Sequence, residues 1–167
     1  MEFNRWKWTF NSRTISKLIK LKHILSEVLE NDIIQNVVNR VYSQIVNNLG
    51  GQIKPVEVHD NIWQRIGAVA IEDLKREQGN PDAQYDPYDN KIYLYSEKIN
   101  TEEDIIRALL HEHTHTLQDQ TEFKKLYDKG FNYGNHPFEL EAIKAEENWR
   151  NYIIWKEANS KNILKKP

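Results

Sequence analysis

The chain has 167 residues, 39 % of them hydrophobic and 29 % charged, with eighteen aromatic residues (five Trp, eight Tyr, five Phe). That is enough apolar surface for one folded domain and too little chain for two comfortable ones. Twenty-three Lys and Arg against 25 Asp and Glu leave a formal charge of -2, so bulk charge gives no attraction to nucleic acid or anionic lipid. Cysteine is absent, which excludes disulfide frameworks, thiolate metal sites and cysteine nucleophiles, so any metal must be held by His, Asp or Glu.

No segment approaches the roughly 20 apolar residues of a membrane span, and mean hydropathy is -0.78. The start lacks an apolar signal core, so the expected location is the cytoplasm, with no membrane partner. Residues 1–12 alternate, with Trp6, Trp8 and Phe10 on one side, and predict a short strand or an aromatic-faced arm. Apolar residues then recur at helical spacing from Thr14 to Glu30 and from Asp32 to Asn48. We read these as a helical hairpin closed by Gly50 and Gly51, its apolar stripe belonging to the core.

Val56 and Val58 alternate behind Pro55 and predict a strand over Ile53 to His59 that starts at an edge. A third helix is expected from an Asp60 or Asn61 cap to Glu77. Two short runs, Ala83 to Asp86 and Lys91 to Ser96, flank the turn residues Pro87-Tyr88-Asp89-Asn90 and predict a β-hairpin. Residues 161–167 read as a frayed Lys-rich tail.

Thr101 followed by Asp104, with acidic residues in between, marks a helix start by capping and by the macrodipole. This helix runs into His111-Glu112-His113-Thr114-His115, which satisfies His-Glu-x-x-His. Residues four apart share a helix face, so His111 and His115 can turn their imidazoles to one ion while Glu112 stands beside it. Ile106, Leu109, Leu110 and Leu117 fall on the opposite side, which leaves the histidines facing a cleft. His113 falls within the apolar stripe and is expected to be a buried, hydrogen-bonded structural residue. Gln118, one turn past His115, is expected to support it or line the cleft.

Two imidazoles leave zinc short of the three protein ligands of a catalytic site. Pro137 suits the first position of a helix reaching about Glu157. On that helix Ala142, Ile143, Trp149 and Ile153 gather within about 80° of Glu139, while Glu141 projects about 160° away. Glu139 is therefore the expected third ligand, with Glu141 the alternative.

With these residues the chain resembles the gluzincin metallopeptidases, which join His-Glu-x-x-His on one helix to a glutamate ligand on the next, and it looks most like the small minigluzincins. The resemblance covers about residues 53–157. It implies an α+β, zincin-like core over 53–157, mainly helical with a small sheet or hairpin beside the active-site helix; with the arm and helical hairpin at 1–52, the chain is expected to form a single domain over 1–167. It further implies Zn²⁺ held by His111, His115 and Glu139, and Glu112 as general base. The implied partner is a peptide or protein substrate, added as an extended strand to residues 91–96. Two departures stand out: Ile143 occupies the place, four residues past the ligand glutamate, where many relatives put an Asp that orients the first histidine, and His113 replaces an apolar residue. The expected activity is zinc-dependent peptide-bond hydrolysis, with Tyr133, His136 and Arg150 as candidate oxyanion donors. The alternative is a zinc-bound but catalytically inactive or latent protein-interaction module.

Overall fold

The computed structural model describes residues 12–62, 65 and 81–153, with side chains from residue 31 onward. The expected strand or arm of residues 1–11 and the Lys-rich tail lie outside them. Of the expected third helix only Ile62 and Arg65 are described, and both are helical.

The helical hairpin is corrected to one continuous helix, α1 (Ser12–Leu49). Nothing at Glu30-Asn31-Asp32 interrupts the hydrogen-bond ladder, because the junction holds neither Gly nor Pro. Ile34, Val37, Val38, Val41, Tyr42, Ile45 and Val46 form a buried stripe along its C-terminal half. Gly50 (φ +88°) and Gly51 (φ +86°) turn the chain away, and the Gly50 N–H returns to the Val46 carbonyl at 2.8 Å.

Three strands follow: β1 (Val56–His59), β2 (Ala83–Asp86) and β3 (Lys91–Tyr95). Their order is β1-β3-β2, with β1 parallel and β2 antiparallel to β3. The hairpin lies where the sequence puts it, and Asn90 supplies the positive φ (+55°) that closes its turn. The place expected for a substrate strand needs correction, because β3 is the middle strand and has no free edge, whereas among the described residues β2 is an edge. Ile92 and Leu94 enter the main core from one face of β3, while Tyr93 and Tyr95 pack with Ile62 on the other.

Helix α2 (Glu102–Leu117) begins with the expected capping box between Thr101 and Asp104. Its Ile105, Ile106, Leu109 and Leu110 join the α1 stripe and the sheet in one cluster. Leu117 departs from expectation and is 46 % exposed at the helix end. A helix that the sequence reading did not anticipate, α3 (Gln120–Asp128), starts where the Asp119 carboxylate accepts the Thr121 and Glu122 N–H groups.

Helix α4 (Pro137–Glu146) has Pro at its start as expected, but it does not reach Glu157. A 3₁₀ turn over Glu147–Asn151 replaces its continuation. Three residues per turn align Trp149 and Tyr152, and both are buried against the core. The architecture is α+β, and among the described residues no helix is long and apolar enough to cross a membrane.

Candidate metal centre

Burying the apolar face of α2 against α1 and the sheet leaves its other side toward α4, and there His111, Glu112 and His115 are almost enclosed, each 7–8 % exposed. Glu139 meets them from the first turn of α4 and is 5 % exposed. Its Oε2 stands 3.4 Å from the His111 Nε2 and 3.4 Å from the His115 Nε2. One ligand atom from each of the three residues can be chosen so that all lie within 4.8 Å of one another. Two atoms bound about 2.1 Å from one tetrahedral ion stand about 3.4 Å apart. The same distance is long for an N–H···O hydrogen bond, and Glu139 Oε2 is accordingly a buried oxygen with no hydrogen-bond partner. A buried carboxylate oxygen left so is costly, and a shared cation satisfies it. The three residues can therefore hold a metal ion.

The remaining ring nitrogens are occupied, which fixes how both imidazoles point. His111 Nδ1 meets Glu146 Oε1 at 2.7 Å, and His115 Nδ1 meets Gln118 Oε1 at 2.8 Å. Each ring thus directs Nε2 at the cluster, the usual arrangement for a metal-bound histidine. Gln118 takes the supporting place expected of it, and is itself fixed by donating to the Phe138 carbonyl and to Glu141 Oε2. Glu141 is exposed and apart from the ligand atoms, so the structure brings Glu139 and not Glu141 to the histidines.

Glu146 was missed. Ile143 cannot orient His111, but Glu146 lies seven residues past Glu139, two helical turns on and about 20° from it in angle, and does so instead. That angle is available from the sequence. Tyr127 was also missed; its hydroxyl donates to Glu139 Oε1 at 3.1 Å from a helix the pattern did not reveal.

Charge in the cluster is strongly coupled. Burial alone would depress His111, but the facing Glu139 carboxylate and the Glu146 hydrogen bond outweigh it and raise its pKa to about 10. Burial would raise Glu139, yet His111 and His115 hold it down at about 2. Glu112 is pushed up by burial, partly offset by His111 and His115, and its Oε2 accepts the Tyr85 backbone N–H of β2 at 2.6 Å.

His113 is fully buried, with Nε2 at 2.8 Å from the Gly50 carbonyl and Nδ1 at 3.2 Å from the Tyr42 hydroxyl. It ties α2 to the end of α1, as its place in the apolar stripe predicts. The three candidate oxyanion donors separate. His136 is fully buried, its Nδ1 accepting the Phe138 N–H and its Nε2 bonded to the Phe123 carbonyl. Arg150 stacks on Trp149, its guanidinium carbon 4.7 Å from the ring centre. Tyr133 alone of the three lines the open groove with His111, Glu112, His115 and Glu139, and its ring stacks near that of His111 at 6.4 Å.

Comparison of the chain with known protein families, curated proteins and solved structures returned no match.

Proposed function

We propose that the chain is a zinc-dependent metallopeptidase of zincin-like architecture, with His111, His115 and Glu139 as ligands and Glu112 as general base. The observation that carries this reading is the orphaned Glu139 Oε2, equidistant from two imidazole nitrogens whose partners aim them at it. Histidine and carboxylate donors in that number suit zinc with one position left for a water or substrate.

When bound, zinc supplies Lewis acidity, which polarises a peptide carbonyl and makes a water acidic at neutral pH. Glu112 takes a proton from the attacking water as its oxygen forms a bond to the carbonyl carbon. The carbon–nitrogen bond then breaks, and Glu112 returns the proton to the departing amine. The Tyr85 N–H holds Glu112 through this cycle. Burial raises the Tyr133 pKa, so its hydroxyl stays protonated at neutral pH and is the available donor to the oxyanion.

The substrate strand pairs with the outer edge of β2. Hydrogen bonds of an antiparallel pair alternate, and Tyr95 N–H to the Asp82 carbonyl sets the phase, so Ala83 and Tyr85 turn their backbone groups outward. The Tyr85 N–H serves Glu112, leaving its carbonyl and the backbone groups of Ala83 for the peptide.

The test is Glu112→Gln, which keeps shape and oxygen while removing the base. Zinc content should be unchanged and hydrolysis of an unstructured protein such as casein should fall at least about a hundredfold. Retained zinc with undiminished turnover contradicts the mechanism.

A further inference from the structure

The space in front of the cluster is a groove of about 1170 Å³, far larger than three ligands and a water require. One wall is β2 with its turn, and the other is α3 with the segment that follows it. On α3 the groove-lining residues Gln120, Lys124 and Tyr127 repeat at helical spacing, and Phe131 continues their line beyond the helix end. Tyr127, Phe131 and Tyr133 are 38 %, 36 % and 57 % exposed, and Tyr88, which also lines the groove, is 96 % exposed. Large aromatic faces left open around one concavity mark a binding surface.

Charge on that wall is uneven. Lys125 and Lys129 are engaged by Glu122, whereas Lys124, which lines the groove one turn before Tyr127, and Asp128, which lines it one turn past Lys124, have no ion pair among the described residues. A cation in that position attracts an acidic group lying against the aromatic floor.

We infer that the groove selects extended peptides carrying a bulky aromatic or apolar side chain next to an acidic residue, the side chain lying against Tyr127 and Phe131 and the acid meeting Lys124. Three features favour a peptide occupant: an edge strand with outward backbone groups, an aromatic floor and one unengaged cation lie around the same opening. The inference names the substrate class of the proposed hydrolase and so rests on that reading, but the groove's selectivity is measurable without turnover.

The experiment uses three end-blocked, fluorescently labelled peptides of otherwise identical sequence: Phe flanked by Glu, Phe flanked by Lys, and Ala flanked by Glu. Binding is followed by anisotropy to the zinc-loaded Glu112→Gln protein, and to the unsubstituted protein in chelator. The Phe–Glu peptide should bind at least about tenfold more tightly than either other peptide. Lys124→Glu, a change at an exposed site that should leave the melting temperature unaltered, should reverse the preference between Glu and Lys flanks. Phe131→Ala should erase the preference for Phe over Ala. Equal binding of all three peptides to both proteins overturns the inference, as does a flank preference that Lys124→Glu does not move. Selective binding by a protein that, loaded with zinc and unsubstituted, cleaves none of the three would instead overturn the hydrolase reading and leave the groove's selectivity standing.

Discussion

Each imidazole of the centre has one nitrogen directed at the cluster and one held by a neighbour, and those neighbours decide how well the site is formed in advance. Glu146→Ala frees His111 Nδ1 and should weaken zinc affinity by about 10- to 100-fold, measured by competition with a chromophoric chelator. An unchanged affinity would mean that Glu146 does not position the ring. The coupled charges also predict a pH dependence of definite sign. Without metal, the His111 pKa stands near 10 against an ordinary 6.5, so its stabilising contribution is complete below the ordinary value and fades as pH rises toward 10. Glu139, held near 2 against an ordinary 4.5, contributes above 4.5 and loses this as pH falls through 2. Zinc bound through His111 would displace its proton, so the proposed affinity rises over the range in which the metal-free cluster weakens. The zinc-induced rise in Tm should therefore grow from about pH 6 to about pH 8, read by calorimetry at fixed free zinc; a constant rise contradicts the assignment. At this scale much was legible in the sequence. His-Glu-x-x-His and the inward angle of Glu139 single out the three residues that can hold a metal ion, and the angle of Glu146 was there to be read. Tyr127 was not, because its contact depends on how α3 folds back.

Among the elements, β2 does two things: it closes the hairpin and its outer edge holds Glu112. Because the Tyr85 N–H lies outside the β2–β3 ladder, proline there removes the bond to Glu112 without breaking a sheet hydrogen bond. Tyr85→Pro should retain zinc and lower kcat about tenfold or more, with Tyr85→Val as control for the lost ring. Equal kcat values for the two variants would remove the amide from the mechanism. The order of the strands could have been read more closely, since Lys91–Tyr95 is apolar on both faces, as suits a middle strand, whereas Ala83–Asp86 ends in charge. The fused α1 shows the limit of periodicity: two apolar stripes with a polar junction look alike whether the chain turns or continues, and only the missing breaker argues for continuity. The shortened α4 departs from the helical spacing, and the tighter turn that replaces its continuation sets Trp149 and Tyr152 in line on the core.

For the molecule as a whole, the candidate metal cluster and the core are two faces of α2, and His113 joins that helix to the end of α1. His113→Leu breaks its bonds to the Gly50 carbonyl and the Tyr42 hydroxyl and should cost about 1–3 kcal/mol of stability in urea titration, with zinc stoichiometry kept. A loss of zinc on that substitution would give His113 a part in the centre that its burial on the far side does not support. The α+β class, the hairpin and the capped α2 followed from local pattern, whereas the groove depends on α3, whose place is set by packing among aromatic rings from distant segments.

All of this depends on His111, His115 and Glu139 gripping a single ion. Elemental analysis of protein dialysed against zinc and then against metal-free buffer, with His115→Ala and Glu139→Ala in parallel, tests that most directly. The account predicts one zinc per chain for the unsubstituted protein and almost none for either variant whose fold is intact by circular dichroism. Zinc-free unsubstituted protein, or equal zinc in all three, would contradict it.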